Sequence, residues 1–480
     1  MAKGNKKIIK ENNRSVIRAG DVAEIRISDI STGGQGIGRL HGLTVFVPEA
    51  VPGDLALVRI DRIKSRYAVA DLQGLISPSA DRTIPHCAVF GDCGGCSLQM
   101  MAYAAQLAMK QTRVIETMNR IGQMTDAASK TQPIIGMDEP WQYRSKVQFP
   151  VAGSAENPEI GFYATGSHRI VKTVDCPIQP PVCDAIRHLI VDHLREWSIE
   201  PYQEETHRGL LRHVVIRIGF FTGEVMVGLV INGKDLPGHG VLCEKLRALV
   251  AAGRDPRLPP LRLTCVYLNI NRAQTNVIQS DECVLLYGRL WIEEKILGLH
   301  YRISPLSFFQ VNPHQTQRLY QTVLDLAALT GSETVLDLYC GTGSISLLLA
   351  RRAKAVLGME IIPEAIADAK INASINGIAN VNFVTGKAED LLPQKLAEGH
   401  AADLVVLDPP RKGCDPALLD TLITADIKKL IYVSCNPATL ARDIAILRNG
   451  DYQVRLIQPV DMFPWTNHVE CCVLMSRTND

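Results

Sequence analysis

From residue 330 onward the chain alternates short apolar runs with longer amphipathic segments. The runs are Val335–Leu338, Ala355–Met359, Val381–Thr385, Leu404–Leu407, Leu430–Ser434, Tyr452–Pro459 and Glu470–Ser476, and helical spacing fills the gaps. That rhythm predicts an open, doubly wound α/β sheet with its ligands beyond the carboxyl ends of the strands. Residues 19–76 follow another rule. Asp21–Ile27 alternates, a glycine-rich turn spans Ser31–Gly38, and Leu43–Val47, Leu55–Ile63 and Tyr67–Leu72 are short strands, as in a closed barrel of the oligonucleotide-binding type.

Between them, residues 77–300 mix both periods. Tyr103–Ile121 is a predicted helix with Leu107, Val114, Met118 and Ile121 on one stripe, and Val182–Trp197 and Leu236–Val250 are two more. Tyr143–Phe149, Ile160–Tyr163, Cys265–Asn271 and Thr275–Gln279 read as strands, and Leu211–Phe220 pairs with Glu224–Ile231 around Thr222-Gly223. The expected organisation is therefore a head at 1–18, a barrel at 19–76, a central α+β domain at 77–300 and the α/β domain at 301–480.

Composition changes this picture little. In 480 residues, 46% hydrophobic and 21% charged content describe a globular protein of several domains. No apolar run reaches membrane-spanning length and the first residues lack a secretion-signal core, so a cytoplasmic protein without a membrane partner is expected. A net charge of +1 does not exclude nucleic acid, because phosphate contacts need a basic face and not a basic total. The head holds six Lys or Arg against one Glu, and Arg39, Arg59, Arg62, Lys64 and Arg66 make the barrel basic.

Candidate chemistry begins at Val335–Glu360. Strand, Gly341-Thr342-Gly343 turn, helix and second strand ending in an acid form the first unit of the sheet. The glycines do not have the spacing of a pyrophosphate loop. Glu360 suits a ribose hydroxyl pair, which makes S-adenosylmethionine the leading cofactor candidate. A second feature is written in cysteine: Cys87, Cys93 and Cys96 crowd into one glycine-rich loop, and Cys176 precedes a proline. Four soft ligands can hold zinc or an iron–sulfur cluster, or stay unliganded; the three-plus-one spacing leans towards [4Fe–4S].

The third feature lies at the strand tips. Leu430–Ser434 delivers Cys435 to the carboxyl edge within Ser-Cys-Asn-Pro, ahead of a helix whose amides favour a thiolate. Asp408 holds the equivalent place in Asp408-Pro409-Pro410-Arg411-Lys412-Gly413. Glu470 enters an otherwise apolar strand, where burial would raise its pKa and make it a competent base. A cysteine, a carboxylate base and a methyl sulfonium suit methylation of an unactivated pyrimidine carbon: thiolate addition at uracil C6 makes C5 nucleophilic.

Seven stretches together carry a family likeness: residues 14–72, the cysteines at 87, 93, 96 and 176, SFFQVNP at 307–313, DLYCGTGSISLLLA at 337–350, DPPRKG at 408–413, VSCNP at 433–437 and HVE at 468–470. The chain resembles the bacterial RNA (uracil-5-)-methyltransferases, specifically the branch with a TRAM barrel and an iron–sulfur cluster that modifies 23S ribosomal RNA. The resemblance implies a Rossmann-like class I methyltransferase domain, a structural [4Fe–4S] cluster on Cys87, Cys93, Cys96 and Cys176, and cofactor contacts from Gln310, Tyr339, Glu360 and Asp408. It implies Cys435 as nucleophile, Glu470 as general base, and a 23S rRNA loop or bulge as substrate with no obligate protein partner. Arg411, Lys412 and Phe308 are candidates for phosphate contact and stacking. A transfer-RNA uracil-5-methyltransferase is the enzymatic alternative, set aside on the ground that its branch typically lacks the barrel and the cysteines. A noncatalytic RNA-binding or ribosome-assembly factor is the alternative from another class.

Overall fold

A computed structural model describes residues 8–9, 17–172, 175–425 and 427–477; most of the expected basic head lies outside the described residues. The chain divides into two compact units. One gathers residues up to Lys110 with Phe162–Val171 and Phe463–Asn467, and the other holds the remainder.

In the first unit the alternating segments close into the expected barrel. Val22–Ile30 pairs with Gly36–Leu40, which pairs with Leu43–Val47; Tyr67–Ser77 and Leu55–Ile63 follow, and Leu55–Ile63 returns to Val22–Ile30. Period-two patterning sends Ala23, Ile25, Ile27, Val45, Val47, Ala56, Val58, Ile60, Ala68 and Ala70 into one core. A buried ion pair ties this barrel to the segment after it. Asp54 accepts the backbone N–H groups of Val51 and Ser79 at 2.7 and 2.8 Å and meets the Arg82 guanidinium at 2.5 Å. Burial pushes the Asp54 carboxyl up, but Arg82 and the two amides outweigh it and hold the group below its ordinary value.

Among its described residues the second unit contains a mixed sheet, a two-stranded sheet and an α/β sheet. The mixed one runs Cys283–Gly288, Arg262–Ile270, Glu224–Ile231, Leu211–Ile218, Lys146–Gly153, Pro158–Ile160. The hairpin around Thr222-Gly223 is as expected. The strand expected at Thr275–Gln279 is instead a loop, because side chains take its carbonyls: Arg212 donates to Ala273 and Thr275, and Asn271 donates to Val277 and Ile278. The hairpin Ile292–Ile296 with Leu299–Ile303 adds a pair the sequence pattern did not reveal.

The third sheet is the α/β one. Its strands are β1 (Thr334–Leu338), β2 (Ala355–Glu360), β3 (Val381–Thr385), β4 (Leu404–Leu407), β5 (Lys429–Ser434), β6 (Tyr452–Val460) and β7 (Glu470–Arg477), ordered β3-β2-β1-β4-β5-β7-β6. All pairs are parallel except those made by β7. This is the expected Rossmann-like domain, with the order reversing at β1/β4, where ligands bind in such sheets. Its core includes Leu336, Leu338, Met359, Val405, Leu407, Leu430 and Val473. Among the described residues no helix is long and apolar enough to cross a membrane.

Replacing Arg82 with Met should leave the Asp54 carboxylate buried beside two amides alone and destabilise the protein by about 3 kcal/mol. Asp54 is held below 3.8 in the folded protein, so this contribution is present above that value and is lost as pH falls through the folded pKa. Chemical denaturation at pH 7 and at pH 3 should show the difference shrink in acid; an equal loss at both would show the pair to be unimportant.

Candidate active site

The turn after β1 shapes the rim of the sheet. Tyr339 has φ +71°, a left-handed conformation that costs a tyrosine about 1–3 kcal/mol and persists only where neighbours enforce it. The enforcing bonds are Cys340 N–H to Met359 O and Gly343 N–H to Cys340 O, both 2.9 Å. A Cβ built on Gly341 would meet nothing within 4 Å, so open space faces the turn. Glu360, at the end of β2, accepts the N–H groups of Gly341 at 3.2 Å and Ile362 at 3.0 Å, which fixes its carboxylate at the rim.

Beneath the turn lies Asp337, only 1% exposed. One of its oxygens accepts the Ser346 hydroxyl and the other has no partner. Burial pushes the carboxyl up to about 7, with Glu360 adding to the rise against the Ser346 bonds. Sequence reading passed over this residue, although an acid inside Val-Leu-Asp-Leu gave the same signal that drew attention to Glu470.

Gln310 is buried in the 307–313 loop. Both ends of that loop are pinned. The Ser307 carbonyl accepts from Arg217 at 2.8 Å and the Ser307 hydroxyl donates to Asp368. Ser145 donates to the Val311 carbonyl from its N–H and its hydroxyl, at 2.8 and 3.1 Å. Asn312 caps helix Pro313–Ala327 by accepting Gln315 N–H at 3.2 Å, while its amide donates to Met462 O at 3.0 Å. Between the pins, Phe308 stands 73% exposed.

Asp408 follows β4, and its N–H reaches Leu338 O at 3.4 Å. Although the residue keeps some exposure, its surroundings push the carboxyl up to about 7, with Asp337 contributing after burial. The loop beyond is rigid because helix Pro437–Asn449 and its cap hold its carbonyls. Asn436 and Thr439 donate to Arg411 O at 3.1 and 3.2 Å, and Arg442 donates to Lys412 O at 3.0 Å. At Gly413, φ is +81° and an added Cβ would fall 2.6 Å from Arg442 and from Asp443, so only glycine fits. The Arg411 and Lys412 side chains are exposed.

Cys435 and Glu470 meet across adjacent strands. The β5/β7 ladder ends at the pair Ser434–Cys471, so Cys435 and Glu470 stand opposite each other one residue beyond it. Asn436 caps the following helix by accepting Ala438 N–H at 3.1 Å, with Pro437 in its first turn. Glu470 is 3% exposed and is pushed up to about 8 by burial and then by Asp408, against the pull of Arg411. Burial, Glu470 and Asp408 also raise the Cys435 thiol above its ordinary value, while the Arg411 guanidinium beside it favours the thiolate. A thiol near a cation, opposite a carboxylate that can hold or release a proton near neutrality, is equipped for addition and proton abstraction on one substrate.

The cysteines expected to hold a cluster are a correction. Among the described residues no group of three or more His, Cys, Asp or Glu side chains is arranged to hold a metal ion. The expectation of [4Fe–4S] on Cys87, Cys93, Cys96 and Cys176, and of an iron–sulfur domain around it, is therefore withdrawn. The local reason is that spacing along the chain did not fix where these side chains go. Cys93 donates its N–H to Val89 O and takes Gly95 N–H on sulfur at 3.4 Å. Cys176 N–H donates to Asp184 at 3.1 Å.

Comparison with known proteins bears on the rest. Residues 18–72 match the TRAM domain and residues 266–478 match the tRNA (uracil-5-)-methyltransferase family. An RNA methyltransferase of Halalkalibacterium halodurans is 44% identical over 96% of this chain and 98% of its own length. One of Clostridium acetobutylicum is 43% identical over 95% and 97%. Among solved structures, a Pyrococcus abyssi tRNA (uracil-54, C5)-methyltransferase in complex with S-adenosyl-L-homocysteine matches with TM-score 0.74 and 27% identity, covering 94% of this chain and 99% of that one. This overturns the expected 23S ribosomal assignment and its rRNA loop or bulge partner. The barrel does not separate the ribosomal branch from the transfer-RNA one, because a transfer-RNA enzyme matches this chain over nearly its whole length. The chain belongs to the RNA methyltransferase family, with a TRAM barrel ahead of a catalytic region of the (uracil-5-)-methyltransferase type.

Proposed function

We propose that the protein methylates C5 of a uridine in transfer RNA, with S-adenosylmethionine as methyl donor. The observation that supports this most is Cys435 facing Glu470 one residue past the end of the β5/β7 ladder, beside Arg411. The transfer-RNA substrate class rests on the family model and on the Pyrococcus abyssi structure.

The residues present fit S-adenosylmethionine. Open space lies before Gly341, the Glu360 carboxylate is fixed at the end of β2, and Asp337 keeps an unpaired buried oxygen under the same turn. Gln310, Tyr339, Glu360 and Asp408 would hold the cofactor, Glu360 through the ribose hydroxyls. When bound, S-adenosylmethionine supplies an electrophilic methyl group.

The chain's own residues do the remainder. Arg411 favours the Cys435 thiolate, whose sulfur forms a bond to uracil C6 and moves the C5–C6 pair of electrons onto C5 and the adjoining carbonyl oxygen. After C5 carries both its hydrogen and the methyl group, the Glu470 carboxylate takes the C5 proton. The electrons of that C–H bond restore the C5–C6 double bond, and the C6–sulfur bond breaks to return Cys435. Burial suits Glu470 to this task, because a base that binds its proton near neutrality abstracts more effectively than an ordinary carboxylate.

The test is covalent trapping. Incubated with S-adenosylmethionine and a transfer-RNA transcript containing 5-fluorouridine, the protein should form a denaturation-resistant complex linked through Cys435, because fluorine cannot leave as the C5 proton does. A linkage at another residue, or no linkage with an RNA that is methylated in its unfluorinated form, would refute the mechanism. Replacing Cys435 with Ala should abolish trapping and lower turnover by at least about 10³-fold.

Both reacting groups give the same pH direction. Glu470 must be ionised to act and is held up to about 8, and the Cys435 thiol is raised above its ordinary value, so turnover should rise with pH from 6 through 8 and go on rising above it. A Glu470→Gln enzyme should turn over about 10²–10⁴-fold more slowly. The stability sign is opposite. The folded carboxyl keeps its proton to about 8 while an unfolded glutamate loses it near 4.5, so the folded state gives up stability as pH rises between those values. Glu470→Gln should therefore raise Tm at pH 8 and leave it nearly unchanged at pH 4; a lowered Tm at pH 8 would contradict the burial argument.

A further inference from the structure

Lys146 and Arg217 form a direct cross-strand pair between Lys146–Gly153 and Leu211–Ile218. Like charges directly opposite on neighbouring strands are destabilising, so the pair needs an explanation. Arg217 is 4% exposed; its Nη2 donates to Ser307 O at 2.8 Å, but its Nη1 has no partner. Arg144, two residues before Lys146, leans onto the same strand by donating from Nε to Lys146 O at 3.0 Å.

Charges of the opposite sign do not resolve this group. Burial lowers Lys146 to about 7, and the charges acting on it, Arg217 and Arg144, are both cationic. Arg217 is lowered to about 10 by burial; Tyr267 and Asp368 partly oppose that, and Asp368 already accepts the hydroxyls of Ser304 and Ser307. Three basic side chains thus lie together beside the 307–313 loop, and Arg217 among them keeps an unpaired donor. A buried donor without a partner, beside partly buried groups of like charge, calls for an explanation, and an anion from outside the chain supplies one. Next to Ser307, whose carbonyl Arg217 holds, the exposed Phe308 offers a ring on which a base can stack.

We propose that Arg144, Lys146 and Arg217 form a seat for one backbone phosphate of the RNA substrate, placed to hold the strand at the nucleotide that stacks on Phe308. The inference rests on the RNA methyltransferase reading above and adds the residues that position the strand. A phosphodiester fits because its two free oxygens can accept from a guanidinium and an ammonium together, and its charge removes the repulsion between them.

The experiment uses the full chain, an unmodified transfer-RNA transcript and a salt series. With Lys146→Met, affinity for the transcript should fall about tenfold near 0.1 M salt, and the slope of log affinity against log salt should lessen by about one, the signature of one lost phosphate contact. Because the substitution removes a like-charge clash, Tm without RNA should rise by a few degrees; a lysine with only a structural role would not combine higher Tm with weaker RNA binding. Lys146→Arg should restore the slope.

An unchanged slope for Lys146→Met overturns the proposal. So does a loss confined to S-adenosylmethionine affinity, which would make the anion the cofactor's carboxylate. Failure of the wild-type protein to methylate the transcript would count against the proposed function, whereas the slope is read from binding alone.

Discussion

Three acids in poorly solvated surroundings govern this site. Asp337, Asp408 and Glu470 all lie where burial opposes ionisation, and each is pushed to between about 7 and 8. They also oppose one another, Asp337 acting on Asp408 and Asp408 on Glu470. An isolated carboxylate deep in protein is expensive, and the usual resolution is to keep the proton. Near neutrality the cluster is therefore poised between protonation states, and one cation has disproportionate weight. Arg411 opposes the rise of both Glu470 and Cys435, so its position bears on the thiol and the acid together.

Strand direction explains how an acid and a thiol come to share that rim. Parallel strands offer only their last residues to the carboxyl edge, which is how β4 presents Asp408 and β5 presents Cys435. A residue at the start of a strand can reach the same edge only if that strand runs the other way. The antiparallel β7 does so, and Glu470 is its first residue. Reversing one strand thus converts a row of strand ends into a pair of facing groups. Rigid supports then hold the geometry: Asp443 collects the Tyr432 hydroxyl, the Cys414 amide and the Arg442 guanidinium, and ties the Asp408 loop to the helix behind Cys435.

What could be read in the sequence follows from what each signal encodes. Apolar runs bounded by turns located the inner strands of the α/β sheet, because burial on both faces leaves little room for polar residues, while the edge strands β3 and β6 alternate. Alternation located the barrel because one face of each strand is buried. Period failed at Thr275–Gln279, where side-chain bonds from Arg212 and Asn271 satisfy the backbone that a ladder would have used. It also failed at Ile292–Ile296, whose Glu293, Glu294 and Lys295 look solvent-facing although Glu294 is buried on the amides of Phe220 and Phe221. Cysteine spacing failed differently. Separation along a chain constrains a ligand set only when the intervening backbone is known, and Cys176 lies far along the chain from Cys87, Cys93 and Cys96. The Lys146–Arg217 pair was invisible for a third reason: a buried charge is recognised by its missing partner, and a missing partner is a fact of three dimensions.

The 307–313 loop joins these observations into one argument about preorganisation. On one side it is bonded to Ser145 and Arg217 of the mixed sheet, and on the other to Asp368 of the α/β sheet's helix Pro363–Ile375. A loop pinned at both ends loses little further entropy when a ligand arrives, so its ordering is completed during folding and does not weaken binding. The same pins leave Gln310 buried and Phe308 outside, fixing the two residues to opposite surroundings by chain connectivity alone. The arrangement carries unrelieved charge on both sides of the loop, cations by the mixed sheet and protonatable acids along the rim. In the absence of ligands that charge destabilises the protein, and the hydrophobic cores beneath both sheets must offset it. Sites that act on developing charge accept such strain because donors already in place need not reorganise when the charge appears.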